Sequence, residues 1–244
     1  MIYVEDCLKT LDRKLYYDYV VCSPPDFDEL DKAIDFSYAD FIKSWAVKLE
    51  PASNFVSICI SDRKSGGQIV SKHSIVIDVF KTLGYILHSH KIWVKGTGVN
   101  DYRMNYQHVM TFSRKNAKRK PIADFKPDVF IINSSKYKNY GYGMPVRVIE
   151  LLIQNYTDKD NIVYDPFMGS GTTAVAAMNT KRQWIGSEIN QEYADLTKTI
   201  VLSWLNNHPD IDRKVSRVIS SFNKRVANAT NSICGPVNFD DLPD

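Results

Sequence analysis

The pattern of apolar and polar positions divides this chain into alternating strand-like and helix-like segments. Continuous apolar runs, which are typical of strands buried on both faces, stand at 19–22, 55–60 and 162–164. Apolar residues at helical spacing lie between and after these runs, and the predicted helices are 28–48, 69–83, 146–156, 172–180 and 191–206. This alternation predicts an α/β fold with a mostly parallel sheet and helices on both of its faces.

Further apolar runs add strands to this prediction. The β-rich runs at 85–94 and 107–112 are close enough along the chain to pair as neighbouring strands. Three shorter runs are predicted strands as well, at 2–4, 129–132 and 183–189. No internal repeat interrupts this order.

A glycine loop at 164–173 reads Tyr-Asp-Pro-Phe-Met-Gly-Ser-Gly-Thr-Thr and stands between a predicted strand and a predicted helix. Asp165 ends the strand, and Gly169 and Gly171 allow a sharp turn that brings backbone close to a ligand. The two threonines after Gly171 are predicted to cap the helix. Ligands of open α/β sheets bind beyond the carboxyl ends of the strands, so this loop is a candidate binding site.

An acid at the end of the next strand strengthens that interpretation. Glu188 stands about 20 residues beyond the loop, where an acid in nucleoside-binding α/β folds accepts hydrogen bonds from ribose hydroxyls. The loop is not a P-loop, since no Gly-Lys-Ser/Thr follows it, and it does not fit GxGxxG. The alternative is an ordinary strand-to-helix turn with Asp165 as a local cap.

A second motif, Ser23-Pro24-Pro25, follows the strand at 19–22. Consecutive prolines hold the backbone extended, which fixes the Pro24 carbonyl beside the Ser23 hydroxyl. These two oxygens could accept hydrogen bonds from a substrate amine, and Phe27 could stack on a planar ring. The alternative is that the prolines simply end the strand before a helix.

Together the two motifs resemble the DNA amino-methyltransferases, which methylate an exocyclic amine of a base. That family pairs an Asp-Pro-Phe-x-Gly-Ser-Gly-Thr-Thr cofactor loop with an Asp/Asn/Ser-Pro-Pro-aromatic tetrapeptide. The catalytic motif comes first here, which resembles the circularly permuted β class. Other similar segments are 3–8, 91–95, 106–112, 144–149 and 184–190. The resemblance spans roughly residues 1–200.

The resemblance implies S-adenosylmethionine as the cofactor and assigns roles to individual residues. The catalytic residues it implies are Ser23, Pro24, Pro25 and Phe27. The cofactor-binding residues it implies are Asp6, Cys7, Asp165, Pro166, Phe167, Gly169, Ser170, Gly171, Thr172, Thr173 and Glu188.

The fold implied is Rossmann-like and circularly permuted, with a mostly parallel seven-stranded sheet and one antiparallel hairpin strand. A single catalytic domain would cover 1–208, followed by a C-terminal extension at 209–244. Within the domain, the catalytic half is 1–113, a basic linker and possible DNA-contact region is 114–143, and the cofactor-binding half is 144–208.

The sequence departs from the family pattern at Asp26, where the fourth catalytic position is usually aromatic. Phe27 could take the stacking role, or Asp26 could change the substrate or weaken activity. Ser23 at the first position leans toward N4 of cytosine, whereas Asp or Asn leans toward N6 of adenine. The expected activity is therefore methylation of cytosine N4 in DNA. Open alternatives are adenine N6, RNA or protein substrates, and a weakened cofactor- or DNA-binding relative.

Composition narrows the class of protein further. The 244 residues carry a net charge of +3, so any nucleic-acid contact must come from local charge. No apolar run approaches the roughly 20 residues of a membrane span, and no signal peptide is recognisable. Four cysteines without a CxxC pair indicate free thiols, and we expect an intracellular, cytoplasmic protein. The spacing of the histidines shows no metal-ligand pattern, and none is expected to bind metal.

The strongest local charge lies at 114–120 and is predicted to bind DNA phosphates near the catalytic site. Its basic residues are Arg114, Lys115, Lys118, Arg119 and Lys120. Arg63, Lys64, Lys72, Lys91 and Lys95 could extend it. The alternative is a solvated loop. DNA with a flipped target base is the expected partner. Because no separate recognition domain is evident, either the recognition site is short or relaxed, or the protein is a homodimer.

Overall fold

The computed structural model describes residues 1–26, 29–30, 37–65, 67–95, 104–115, 117, 125, 127–132, 136–137, 141–142 and 144–207. The chain divides into two compact units, Met1–Val201 and Leu202–Asp244. The fold below is that of the first unit. Of the second, only the last residues of a helix are described, so the boundary expected at 208 stays a prediction. Among the described residues no helix is both long and apolar enough to cross a membrane.

Twelve strands and six helices are formed by the described residues. The strands are β1 (Ile2–Val4), β2 (Tyr19–Cys22), β3 (Phe55–Ile60), β4 (Arg63–Ser65), β5 (Gln68–Val70), β6 (Ile86–Val94), β7 (Tyr106–Ser113), β8 (Val129–Ile131), β9 (Lys136–Tyr137), β10 (Gly141–Tyr142), β11 (Ile162–Asp165) and β12 (Gln183–Glu188). The helices are α1 (Cys7–Asp12), α2 (Tyr38–Ala46), α3 (Lys72–Thr82), α4 (Val146–Tyr156), α5 (Thr172–Asn179) and α6 (Gln191–Asn206).

The main sheet has eight strands in the order β1-β12-β11-β2-β3-β7-β6-β8. Every neighbouring pair is parallel except β3 with β7 and β7 with β6, so β7 alone runs against the others. The prediction of a mostly parallel sheet with one antiparallel hairpin strand is confirmed. The sheet has eight strands and not the seven predicted, because β8 pairs in parallel with β6 and adds a strand at that edge.

The order of the strands also shows the permuted arrangement. β1, near the start of the chain, pairs with β12 and not with β2, which follows it in sequence. β11 and β12 therefore lie between β1 and β2, although they come more than 100 residues later. Two strands from the last third of the chain are therefore inserted between the first two strands of the sequence.

Helices cover both faces of the sheet, as predicted. On one face α4 packs against β2 and α5, and the ring of Tyr156 lies 4.9 Å from Phe55 and 5.7 Å from Tyr19, measured between centroids. On the other face the ring of Phe80 stacks on Phe112 at 4.4 Å. The strands β2, β3 and β11 are buried along their whole length, which is why their sequences are apolar without alternation.

Helix α3 begins later than its sequence pattern predicts. The predicted helix starts at 69, whereas β5 pairs with β4 in a small antiparallel hairpin and α3 starts at Lys72. The β-branched residues Ile69 and Val70 favour the strand conformation, and they are exposed. The hairpin turns between Ser65 and Gln68, which pair with each other, and residue 66 lies outside the described residues.

Candidate active site

The parallel strands β1, β2, β11 and β12 all end at the carboxyl edge of the sheet, and the predicted site residues lie at these four strand ends. Asp6 and Cys7 follow β1, Ser23 follows β2, and Asp165 and Glu188 are the last residues of β11 and β12. The register pairs Val4 with Glu188 and Asp165 with Gly186. Since neighbouring strands lie about 4.8 Å apart, the two predicted loops and the acid are side by side.

Asp165 shapes the glycine loop from inside. Its side chain is buried, Oδ1 accepts the Phe167 N–H at 2.9 Å, and Oδ2 accepts the Thr173 hydroxyl at 2.5 Å. Burial raises the pKa of Asp165 to about 7 against the opposing effect of these hydrogen bonds, and the Glu188 carboxylate adds to the rise. The Asp165 carboxyl group thus fixes the conformation of the loop through two hydrogen bonds.

The threonines do not cap α5, which corrects the sequence prediction. Gly171 is the residue before the helix, in the left-handed conformation with φ of 86°, and no side chain caps the helix end. Thr172 is the first helical residue, and the Thr173 hydroxyl is directed to Asp165. The orphan N–H groups at this helix start remain directed toward the carboxyl edge, where they can meet a ligand.

Gly171 is required for two separate reasons. A side chain at this φ is strained, and a Cβ would lie 2.9–3.2 Å from Oγ1, Cγ2 and Cα of Thr197 on α6. Thr197 also donates its hydroxyl to the Gly169 carbonyl at 2.9 Å. The loop is therefore held against α6 by close backbone packing.

Glu188, at the end of the neighbouring strand β12, fixes the middle of the glycine loop by a hydrogen bond to Gly169. Its Oε2 accepts the Gly169 N–H and its Oε1 accepts the Asn190 N–H, both at 2.8 Å. The carboxylate is partly exposed, so each oxygen keeps a lone pair for a further donor.

Other residues of the implied cofactor set differ in accessibility. Asp6 accepts the Leu8 N–H at 2.8 Å as the N-cap of α1 and is partly exposed. Cys7 is buried, and burial raises the pKa of its thiol to about 12. Phe167 packs its ring 5.3 Å from Trp45 and 5.9 Å from Phe41 on α2, so it anchors the loop. Pro166 is buried, and Ser170 is partly exposed.

The two predicted acceptors of the Ser23-Pro24-Pro25 segment differ in exposure. Ser23 is exposed and Pro24 is buried, and among the described residues no hydrogen bond engages the Ser23 hydroxyl or the Pro24 carbonyl. The Pro25 carbonyl accepts the Tyr38 hydroxyl at 3.2 Å, which fixes the loop to α2. Phe27 lies outside the described residues, so its stacking role stays a prediction.

Asp26 holds this segment through two cations, which the sequence did not indicate. Its Oδ2 accepts from Arg63 Nη1 at 2.9 Å, and its Oδ1 pairs with Lys72 Nζ. The Asp26 N–H is bound by the Glu29 carboxylate at 2.8 Å. Lys72 is almost completely buried, and a buried cation needs such a partner. Asp26 is thus an anchor of the loop through its ion pairs.

Several lysines proposed for DNA contact have structural partners. Lys72 is engaged as described, and Lys91 is buried, where it donates to the Pro127 carbonyl at 3.0 Å and to Asp128 at 3.1 Å. Lys95 donates to the Ser61 hydroxyl at 2.8 Å at the carboxyl edge. The extension of a DNA surface through Lys72 and Lys91 is therefore wrong, because both lie in the interior.

The predicted position of the basic cluster is wrong for its first two residues. Strand β7 runs antiparallel to β3 and ends opposite Phe55, the first residue of β3. Arg114 and Lys115 follow β7 and so lie at the amino edge of the parallel strands, away from Ser23. Arg114 donates there to the Leu49 carbonyl at 3.1 Å and stacks over Tyr85. Lys118, Arg119 and Lys120 lie outside the described residues.

A group of histidines, which showed no pattern in sequence, comes together at the end of β3, the strand next to β2. His73 and His108 surround Asp62, and His90 contacts His108. Burial lowers the pKa of His108 to about 4, so its imidazole is neutral at pH 7. The sequence missed this group because its members belong to a loop, a helix and two strands.

Comparison with known proteins identifies the family. The DNA methylase model of the N6/N4 methyltransferases matches residues 17–199, and the chain belongs to this family. Orphan methyltransferase M.BamHII of Bacillus amyloliquefaciens is 36 % identical over 74 residues, which are 30 % of this chain and 28 % of M.BamHII. The chain spans about half or less of the length of the curated relatives it matches.

Solved structures show the same fold. The cytosine-N4-specific PvuII DNA methyltransferase superposes with a TM-score of 0.71 at 19 % identity, covering 81 % of this chain and 84 % of its own. The M1.HpyAVI–SAM complex superposes with a TM-score of 0.63 at 23 % identity, covering 82 % and 98 %. The Rossmann-like methyltransferase fold predicted from sequence is confirmed.

Gly171→Ala is expected to destabilise the protein more than Gly84→Ala. Both glycines have similar positive φ angles, 86° and 81°, so both variants lose on the order of 1 kcal/mol to backbone strain. Only the new Cβ at 171 meets Thr197, whereas the one at 84 meets no atom within 4 Å. Overpacking adds about 1–3 kcal/mol. Urea unfolding measures both, and equal losses would contradict the close packing on α6.

The raised pKa of Asp165 predicts a specific pH dependence of stability. Between about pH 4 and pH 7 the folded state holds a proton that the unfolded state has released, so stability falls as pH rises through this window. Asp165→Asn keeps an acceptor for Phe167 and removes the titration.

Relative to Asp165→Asn, the natural chain should lose on the order of a few kcal/mol of unfolding free energy from pH 4 to pH 7. Urea unfolding at a series of pH values gives the two curves, and parallel curves would show that Asp165 titrates normally.

Proposed function

We propose that this protein transfers a methyl group from S-adenosylmethionine to an exocyclic amine of DNA, with N4 of cytosine as the favoured position. The observation that carries this is the adjacency of β12, β11 and β2, which places Glu188, the glycine loop and Ser23-Pro24-Pro25 at consecutive strand ends. Membership in the DNA methylase family supports it. The names of the relatives, among them a cytosine-N4-specific enzyme and a SAM complex, support it further.

The cofactor pocket is assigned to the glycine loop and the two acids beside it. Glu188 keeps lone pairs beyond its bonds to Gly169 and Asn190, and these suit the two hydroxyls of a ribose. The partly exposed side of the loop, at Gly169 and Ser170, offers backbone to the rest of the cofactor. Asp6 lies on the next strand end, on the side of Glu188 away from the catalytic segment. When bound, S-adenosylmethionine supplies an electrophilic methyl group on sulfur.

Catalysis is assigned to positioning by the Ser23-Pro24-Pro25 segment. The lone pair of an exocyclic amine is delocalised into the base, which makes the nitrogen a weak nucleophile. Hydrogen bonds from the amine to the Ser23 hydroxyl and the Pro24 carbonyl favour tetrahedral nitrogen and direct it toward the glycine loop. These two acceptors need a rigid support, which Tyr38 and Asp26 provide. No covalent bond between enzyme and base is required.

The anchoring of Asp26 bears on the alternative of a weakened enzyme. An unpaired acid at the fourth motif position would repel the electron-rich edges of a base, but Asp26 is neutralised by Arg63 and Lys72. The pairing therefore favours an active enzyme whose loop is held by charge. Adenine N6 is the close alternative substrate position, since within this chain the choice of base rests on Ser23 and on the unusual Asp26 beside it.

The mode of DNA binding stays a prediction. A base in duplex must leave the stack at a cost of a few kcal/mol before it reaches Ser23, and stacking on Phe27 would return part of that cost. Phosphate contacts by Lys118, Arg119 and Lys120, a homodimer and an intracellular location are expectations of the same kind.

Ser23→Ala is expected to retain cofactor binding and to lose methylation at least about tenfold, because one acceptor for the amine disappears. Ser53→Ala, at the amino edge of β3, is the matched control and should methylate normally. Calorimetry with S-adenosylmethionine measures binding, and mass spectrometry of nucleosides from treated DNA measures the product.

The methylated nucleoside that is detected also identifies the base that the enzyme modifies. N4-methylcytosine supports the proposal as stated, N6-methyladenine selects the alternative position, and neither product with normal cofactor binding would select the weakened relative. Full methylation by Ser23→Ala would refute the role of Ser23.

Asp26→Ala should lower turnover by roughly tenfold or more while leaving cofactor affinity unchanged, because the loop loses its anchor. It also leaves Lys72 buried without its partner, which costs about 3–5 kcal/mol of stability. Asp26→Ala combined with Lys72→Met removes that penalty, so it should regain stability without regaining turnover. Asp78→Ala, an exposed acid of α3, is the control. Normal turnover in the double variant would contradict the anchoring role.

A further inference from the structure

Asp62, His73 and His108 form a compact group at the junction of β3, α3 and β7. Asp62 stands two residues after β3, His73 is the second residue of α3, and His108 lies on β7 opposite Ile60. One ligand atom from each residue can be chosen so that all three lie within 4.8 Å of one another. The group is outside the proposed catalytic and cofactor sites.

The distances within the group approach those of a coordination shell. His73 Nδ1 lies 2.7 Å from Asp62 Oδ2, and His108 Nε2 lies 3.4 Å from the same oxygen. Ligands bound tetrahedrally to zinc at about 2.0–2.2 Å are about 3.3 Å apart. The His108 side already has this spacing. The rings of His73 and His108 stack with their centroids 4.0 Å apart, so the His73 ring would have to turn away from His108 to direct its lone pair at a shared ion.

His108 is the member of the group whose Nε2 atom is held most weakly by its neighbours. Its side chain is 8 % exposed, and its buried Nε2 has no hydrogen-bond partner among the described residues. Its Nδ1 lies 2.9 Å from Nε2 of His90. If Nδ1 carries the proton and donates it to His90, the lone pair of His108 Nε2 faces the Asp62 carboxylate directly. A cation between these two acceptors would satisfy both.

Asp62 and His73 alone have a simpler role. Asp62 Oδ1 accepts the His73 N–H at 3.1 Å and so caps α3, whose preceding Ser71 makes no side-chain cap. The His73 ring also hydrogen-bonds the carboxylate. Capping accounts for these two residues but leaves His108 Nε2 buried with only the long 3.4 Å contact to Asp62 Oδ2, whose geometry is not that of a hydrogen bond.

We propose that Asp62 Oδ2, His73 Nδ1 and His108 Nε2 bind a divalent transition-metal ion of the zinc class. Two imidazoles with one carboxylate suit Zn²⁺ and its neighbours, whereas Mg²⁺ and Ca²⁺ prefer oxygen ligands alone. His73 would carry its proton on Nε2, which lies 3.4 Å from the Ser74 hydroxyl. His90 is a positioning residue that fixes the His108 tautomer.

The expected role of the ion is structural. It would cross-link the end of β3 to α3 and β7. Arg63 and Lys72, the two cations that hold Asp26, are the immediate neighbours of Asp62 and His73 in sequence. The site goes beyond the proposed methyl transfer, and its binding is measured without any activity assay.

The test uses the full chain without a histidine tag, treated with chelator and then dialysed. Zn²⁺ is titrated with a chromophoric chelator as competitor, and Co²⁺ is added separately to read visible absorption bands. We expect one equivalent bound, a rise in Tm, and the spectrum of a four-coordinate cobalt site. Lack of saturable binding at one equivalent by the natural chain would overturn the proposal.

Variants locate the site. His108→Gln and His73→Gln should each weaken Zn²⁺ binding by about a hundredfold or more, and His90→Gln by about tenfold, as expected for a group behind a ligand. His88→Gln on the same strand as His90 is the matched control and should bind normally. Circular dichroism confirms that each variant is folded. Equal affinities for His108→Gln, His73→Gln and His88→Gln would place the metal elsewhere and refute the assignment.

Discussion

The parallel pairing of β2 with β11 is the contact on which the arrangement of this protein depends. It joins residues more than 140 positions apart, with Val163 opposite Tyr19 and Tyr164 opposite Val20. Asp18 closes the pairing at its amino end: its N–H donates to the Ile162 carbonyl at 2.8 Å, and its carboxylate accepts the Ile162 N–H at 2.7 Å. Because both strands then end at one edge, the Ser23-Pro24-Pro25 segment and the glycine loop become neighbours. Without this pairing each loop would be an isolated turn.

The two neighbouring loops are held by different physical means. The glycine loop is held by close packing and by buried hydrogen bonds. Gly171 packs closely against Thr197, and the buried Asp165 side chain accepts hydrogen bonds from the Phe167 N–H and the Thr173 hydroxyl. The Ser23-Pro24-Pro25 segment depends on charge, because Asp26 pairs with one buried and one partly exposed cation. Packing tolerates little change in geometry, whereas an ion pair at the rim keeps its energy over small movements. The glycine loop, to which we assign the cofactor, is therefore held by close packing, and the Ser23-Pro24-Pro25 segment, to which we assign the substrate, is held by ion pairs.

Much of the fold and of the site could be predicted from local sequence. Apolar runs identified the strands of the sheet, and the turn chemistry around Gly169 and Gly171 identified the loop that meets the carboxyl edge. Other predictions failed where a residue's partner is remote in sequence. Lys72 and Lys91 were assigned to a DNA surface but are buried against Asp26 and Asp128. Arg114 was assigned to the catalytic side, yet the reversed direction of β7 carries it to the opposite edge.

The sequence by itself determined which segments are strands, which turns need glycine and proline, and which family the chain belongs to, because these depend on short-range periodicity, backbone sterics and motifs. The tertiary structure alone decided the partners of the charged and titratable residues. Asp26 became a loop anchor, and Asp62, His73 and His108 became a candidate metal site, although none of these roles is visible in their spacing. The physical reason is that ion pairs and ligand sets act between side chains close in space, and which side chains are close follows from strand order and direction.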